Sequence, residues 1–212
     1  DNTGVAKLII STTGTDAIAG TINAATDGEG TVQVTGATKT FSGIIGATGS
    51  IGVLDLDEAA VFNADVSADV IQVIDAKVAT FKDNINATSI AIDATSNLTI
   101  ASASSAAATV ITGTIDGIAA NEGIITVTNT GGTTFASAIG GTRAVEDINI
   151  DQNTVFNSTL VTKGGNIATG KSVTAKGDTT IGADELVVEG SLIVGGTGDQ
   201  TITGVLSGDG SG

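Results

Sequence analysis

The sequence predicts an all-β fold, a parallel β-helix (β-solenoid) with rungs of about 18–19 residues. Three observations carry this prediction: short β-branched fragments throughout the chain, an aliphatic–Asp phrase that returns at a fixed step, and a long match between the two halves. Fixed repeats indicate stacked arrays, because one unit buries its apolar face only when a neighbour stacks on it.

The strand-like fragments are short and most of them alternate between apolar and polar residues. VLDLD, SIAID and DINID are examples, and many such fragments are bounded by Gly, Asn, Asp or Thr. Alternation places apolar side chains on one face of a strand and polar side chains on the other. We therefore expect strands whose apolar face points into the coil.

The short repeat is an aliphatic residue followed by Asp. It occurs at Leu56-Asp57, Ile74-Asp75 and Ile92-Asp93, which are two steps of 18 residues. Asp tolerates turn geometry, and its side chain bonds nearby backbone amides, so it suits the end of a strand. Each of these phrases predicts a corner of the coil.

The long repeat is an internal duplication. Residues 41–66 match residues 135–160 at a constant offset of 94, with VFN common to both segments, and upstream GTI and EG match at an offset of 93. We expect residues 1–212 to form a single β-solenoid domain or segment, in which residues 20–66 correspond to residues 113–160.

One stretch also supports a helix. Its apolar residues recur at steps of 4, 4, 3 and 4, which is a helical pattern, at Val70, Ile74, Val78, Phe81 and Ile85. The alternative fold is therefore a set of β-sandwich-type repeats with a short helix near residues 68–84. The run ASASSAAAT at 101–109 is either a second helix or a flat rung of small side chains.

The charge of the chain excludes several classes of partner. Eight basic and 23 acidic residues give a formal net charge of −15, which repels nucleic-acid phosphates and anionic lipid surfaces. No apolar run is long enough for a transmembrane segment. Because the chain begins at Asp1 without a leader, we expect a processed chain or a piece of a longer one.

Calcium is the cofactor that the acidic residues suggest. Stacking Asp57, Asp75 and Asp93 on one corner would place like charges about 5 Å apart, and Ca²⁺ takes carboxylate and carbonyl oxygens as ligands. Asp151, the duplicated counterpart of Asp57, joins this candidate set. The alternative is that these side chains cap turns in water.

The phrases TGTI, GEGTVQVTG, TVFN and DQTITGVLSGDGSG resemble the repeats of bacterial autotransporter passengers and related surface-layer proteins. The resemblance implies a right-handed parallel β-helix on the bacterial cell surface, acting as an adhesin, a spacer or a lattice component. It carries no catalytic residue to this chain.

The expected function is therefore non-enzymatic. The chain lacks His and Cys, the commonest components of nucleophile–base sites. We expect an extracellular structural protein, a surface-layer, surface-rod or filament subunit that self-associates through lateral or end-to-end β contacts. The alternative is an adhesin passenger that binds a host surface or a cell-surface glycan.

Overall fold

The structure is a computed structural model that describes residues 6–15, 17–103 and 107–208. The described residues contain strands and turns but no helix, which confirms the predicted all-β class. In chain order the strands are β1 (Lys7–Ile10), β2 (Ala17–Ile18), β3 (Glu29–Val34), β4 (Lys39–Phe41), β5 (Ile51–Leu56), β6 (Ala60–Phe62), β7 (Val66–Val73), β8 (Val78–Phe81), β9 (Ile85–Ile92), β10 (Asn97–Ile100), β11 (Thr109–Gly117), β12 (Ile124–Val127), β13 (Thr133–Phe135), β14 (Val145–Ile150), β15 (Thr154–Phe156), β16 (Leu160–Ile167), β17 (Ser172–Ala175), β18 (Thr179–Ile181), β19 (Leu186–Val188), β20 (Ser191–Val194), β21 (Ile202–Thr203) and β22 (Leu206–Ser207).

The strands stack in parallel as a β-solenoid of about nine turns, as predicted. Each turn contributes to three faces. The first face begins with β1, β3 and β5, and the second with β2, β4 and β6. The third face contains β13, β15, β17 and β20. The long strands β7, β9 and β11 bend from the third face into the first, and β16 bends from the first into the second.

Inward-pointing side chains form columns that run through successive turns. On the second face, the rings of Phe41 and Phe62 stack with centroids 4.8 Å apart, and those of Phe62 and Phe81 with centroids 4.6 Å apart. On the third face, Phe135 and Phe156 stack with centroids 5.3 Å apart. All five rings are buried within the same continuous apolar core.

The turns differ in length. Val32, Leu54, Ile71, Ile90 and Ile115 occupy one inward column in consecutive turns, so the steps between them are 22, 17, 19 and 25 residues. The predicted rung of 18–19 residues therefore describes the middle of the chain, where the aliphatic–Asp phrases lie, and the other turns are longer. With about 4.8 Å between turns, the coil is roughly 40 Å long.

The helix expected near residues 68–84 is wrong. This stretch contains β7 and β8, and the backbone between them has left-handed φ angles of 61° at Asp75 and 59° at Ala76. Two consecutive left-handed residues interrupt a helix and form a corner. The helical spacing arose because apolar residues of two different faces follow one another across this corner. Of the Ala-rich run, residues 104–106 lie outside the described residues, and 101–103 are not in a strand.

The two matching segments adopt the same succession of strands, but on different faces. Phe41 and Phe62 lie on the second face, whereas their counterparts Phe135 and Phe156 lie on the third. The strand between them changes face likewise, from the first face for β5 to the second for β14. The offset of 94 residues thus corresponds to four turns plus one face. The two phenylalanine stacks lie on different sides of the coil for this reason.

Candidate functional site

The three aliphatic–Asp phrases all lie where the first face ends, in consecutive turns, but their residues are not all aligned. The amides of Asp57, Ile74 and Asp93 each donate to the last inward residue of the preceding turn, so these three positions form one column. Asp75 lies one residue later. Its amide donates to Oδ2 of Asp93 at 2.9 Å, and Oδ1 of Asp93 accepts from Ser96 Oγ at 2.5 Å. The Asp93 carboxylate thus caps this corner.

Asp151 lies at a different corner. It follows the second face, its amide donates to the Val127 carbonyl at 2.9 Å, and its side chain is exposed. The one-face shift between the duplicated segments separates it from its counterpart Asp57. The structure therefore brings Asp57, Asp75 and Asp93 to one edge of the coil and leaves Asp151 elsewhere.

A pair of neighbouring carboxyl groups lies on the first face. Gln33 Nε2 donates to Asp55 Oδ2 at 3.0 Å and to Asp57 Oδ2 at 2.7 Å. The remaining oxygen of each carboxyl group is buried without a partner. Partial burial, together with the adjacent negative charge of Asp57, raises the pKa of Asp55 above its ordinary value. The pair is therefore less stable when both members are ionised.

A second carboxyl pair lies at the corner between the second and third faces. Asn84 bridges it, because its amide nitrogen donates to Asp65 Oδ1 at 3.1 Å and to Asp83 Oδ1 at 3.0 Å. Burial and the charge of Asp65 raise the pKa of Asp83, although the hydrogen bond from Asn84 opposes the shift. Each pair is thus held by one amide side chain rather than by a basic residue.

These arrangements decide what the acidic residues can do. Within the three described ranges, no group of three or more acidic side chains is gathered as metal ligands would be. Asp57 and Asp93 instead accept hydrogen bonds from neighbouring polar groups, as turn-capping residues do. Calcium binding by the Asp corners stays a prediction.

A cavity of about 830 Å³ lies between the third and first faces of the first three turns. Its wall is mostly apolar, with contributions from Ile22, Val32 and Val53, and it includes the carboxylates of Glu29 and Asp69. The volume is within the range of small-molecule pockets. A ligand that fits this wall would be largely apolar.

The two ends of the described coil are unlike its middle. The core residues of the inner turns are at most 4% exposed, whereas Leu8 in β1 is 46% exposed and Leu206 in β22 is 45% exposed. Both belong to inward columns, since Leu8 aligns with Val32 and Leu206 with Leu186. β1 and β22 are also the last strands of their ladders, so one edge of each lacks a strand partner among the described residues. The apolar columns of the core therefore continue to both ends.

Two buried polar residues were not identified from the sequence. Lys39 is 1% exposed at an inward position, and its Nζ donates to the Gly14 carbonyl. Asn129 is fully buried, and its Nδ2 donates to Thr109 Oγ1 at 2.9 Å and to the Gly132 carbonyl at 2.8 Å. The alternation KTF gave a signal for Lys39, because it puts Lys39 on the same side of the strand as Phe41. Asn129 gave none, since Asn is common in exposed turns.

The chain was compared with family models, curated proteins and solved structures, and none of them matches it. In the described part of the chain there is also no helix with the length and apolarity needed to cross a bilayer.

Proposed function

We propose that this chain is a non-enzymatic structural protein of an extracellular, bacterial cell-surface assembly, in which it acts as a rod-forming subunit of a surface layer or filament. The observation that carries the proposal is the apolar core that runs through about nine turns and reaches both described ends. A coil of this kind extends when another turn stacks on its end, because each new turn buries apolar side chains and pairs a free strand edge.

The proposed contact at the ends is a continuation of the same ladders. The carbonyls of Ala6 and Ile10 accept hydrogen bonds from β3. In a parallel ladder alternate residues bond the same neighbour, so the backbone groups of Lys7 and Ile9 point to the open edge. A strand from the far end of a second copy would complete this edge and cover Leu8.

The test of this proposal uses two lysine substitutions in one strand. Leu8→Lys places a charge in the apolar column that the next copy would cover, whereas Ile9→Lys places the same charge on the outer surface. We expect the wild-type chain to form rods in multiples of roughly 40 Å by negative-stain microscopy in salt. Leu8→Lys should leave single coils and Ile9→Lys should assemble. Equal rod lengths for the two variants would contradict the proposal.

The cavity supports a second candidate function, an adhesin that binds a host or glycan surface. Val53 contributes to the cavity wall, so Val53→Trp would fill part of the space without removing a carboxylate. Under the adhesin hypothesis, binding of labelled oligosaccharides by the wild-type chain would be lost in Val53→Trp and kept in Leu8→Lys. Absence of wild-type binding at millimolar oligosaccharide would exclude this function.

A further inference from the structure

Two outward-facing columns of the coil have the same chemistry. The first strip lies on the second face and the second strip on the third face, and in each strip the residues are aligned in consecutive turns. The first strip is Thr40, Val61, Thr80 and Thr99, and the second strip is Thr134, Val155, Thr174 and Ile193. All eight side chains are β-branched, and each residue of the second strip is 94 positions after its counterpart in the first.

The columns on either side of each strip also correspond. Next to the first strip they contain Thr38, Ala59, Val78 and Asn97 on one side and Ser42, Asn63, Lys82 and Ala101 on the other. Next to the second strip they contain Gly132, Asn153, Ser172 and Ser191 on one side and Ala136, Asn157, Lys176 and Gly195 on the other. The backbone amides of Lys82 and Lys176 donate to the carbonyls of the counterparts Phe62 and Phe156, which fixes both lysines at the same place beside their strips.

Neither strip has a carboxylate, although the chain has 23 acidic residues. Each three-column surface has one lysine and no Asp or Glu. The first face is different, because Asp55, Asp116 and Asp178 occur at its outward positions. Two copies with a net charge of −15 repel each other. The strips are surfaces on which they can meet without bringing carboxylates together.

We propose that the two strips are equivalent lateral contacts, each of which binds a strip on a second copy of this chain. This inference rests on the proposed structural function and names the surfaces that would carry lateral assembly. Flat rows of β-branched side chains pack closely against one another, and the charged corner residues around them form a polar rim.

The size of a strip predicts a weak contact. Four rungs about 4.8 Å apart and a width of about five residues at 3.3 Å each give a footprint of about 300 Å². Stable protein interfaces bury about 800 Å² on each partner. One strip would therefore bind weakly, and a stable lattice would need several strips engaged together, which raises the overall affinity.

The positions of the strips predict an open assembly. The second strip is displaced from the first by four turns and one face, which is about 20 Å along the coil and about a third of a revolution around it. One chain can therefore bind two neighbours in different directions. A protein with two contacts of this kind forms chains or sheets, whereas a protein with one self-complementary contact stops at a dimer.

The experiment replaces one valine in each strip. Val61→Glu and Val155→Glu change counterpart residues of the two VFN segments, both half-buried and outward-facing. Val161→Glu adds the same charge at a half-buried outward position on the first face and is the matched control. Sedimentation velocity is measured over a range of concentrations in 0.15 M salt, near ~0.15 M as in physiological conditions, and in the Leu8→Lys background to suppress end-to-end growth.

We expect an open series of oligomers without a strip substitution and with Val161→Glu. Each single strip variant should stop at a dimer, and the double variant should be a monomer. Circular dichroism checks the fold of each protein. Because the chain has no cysteine, Val61→Cys and Val155→Cys give a second measurement, in which oxidation should yield disulfide-linked dimers and Val161→Cys should not.

Three results would overturn this inference. Oligomers that persist in the double variant would show that lateral contacts lie elsewhere. Equal effects of Val161→Glu and the strip variants would reduce the strips to general charge repulsion. Strip variants that lose oligosaccharide binding in a chain that stays monomeric would assign the strips to a glycan. If rods fail to form in the Leu8 test while strip-dependent dimers are found, the end-to-end proposal fails and this one stands.

Discussion

The substitution Phe62→Ala tests whether stacked rings hold the coil together. The Phe62 ring lies between two other rings, with centroid distances of 4.8 Å to Phe41 and 4.6 Å to Phe81, and it is 1% exposed. Its counterpart Phe156 is 2% exposed and has one aromatic neighbour, because the next residue in its column is Ala175. The two positions share local sequence and burial and differ in the number of stacked rings.

The structure allows the cost to be bounded. Phe→Ala in a core costs about 3–5 kcal/mol, and an aromatic pair contributes about 0.5–1.5 kcal/mol beyond its buried area. Phe62→Ala removes two such pairs and Phe156→Ala removes one. We therefore expect about 4–5 kcal/mol for Phe62→Ala and about 1 kcal/mol less for Phe156→Ala. For a chain of this size, each kcal/mol lowers Tm by about 2–4 °C.

The assay is urea unfolding followed by far-ultraviolet circular dichroism, with Phe62→Leu as a control that keeps apolar volume without a ring. Phe62→Leu should lie between the wild type and Phe62→Ala. An equal or smaller cost for Phe62→Ala than for Phe156→Ala would refute the stacking argument, because burial alone would then account for both values.

Three further predictions concern single polar or glycine positions. Asp55→Asn should raise the free energy of unfolding at pH 7: the raised pKa means that the folded state binds the proton more tightly, so wild-type stability rises as pH falls from 7 towards the ordinary value of 3.8. The variant should show a smaller rise in pH-dependent urea melts than the exposed control Asp199→Asn. Gly46→Ala should cost about 1–3 kcal/mol in thermal melts, because φ is 77° and a Cβ would overlap the Ser67 carbonyl, whereas Gly20→Ala, with open space around it, should be nearly neutral. Asn129→Ala should cost about 2–3 kcal/mol in the same assay, because it leaves buried hydrogen-bonding groups without partners.

The coil could be predicted from the sequence because its signal is local. Alternation within fragments such as VLDLD sets which side chains point inward, and the structure places Leu54 and Leu56 in the core and Asp55 outside. Asp at the end of the first face was likewise predictable from turn chemistry. The class of fold follows from these local rules, because each strand obeys them independently of the length of the turn that contains it.

The arrangement of the acidic residues could not be predicted in the same way. Steps of 17 and 19 residues between aligned positions average to the 18 seen in the aliphatic–Asp phrases, so equal spacing hid a shift of one residue at Asp75. Asp151 matches Asp57 in sequence and yet lies at another corner, because 94 residues are not a whole number of turns. Both errors have one cause: the pattern indicates a corner without specifying which of the three corners it is.

The direction of the backbone hydrogen bonds determines how this coil would respond to force. Strands run around the coil and their ladders join one turn to the next, so tension along the coil pulls adjacent turns apart instead of shearing strands. A pulled end would peel away one turn at a time. Each released turn of 17–25 residues would lengthen the chain by up to about 3.3–3.6 Å per residue. The two phenylalanine stacks, in separate parts of the coil, would resist this peeling most strongly, so that a tethered molecule would extend in steps and dissipate the load.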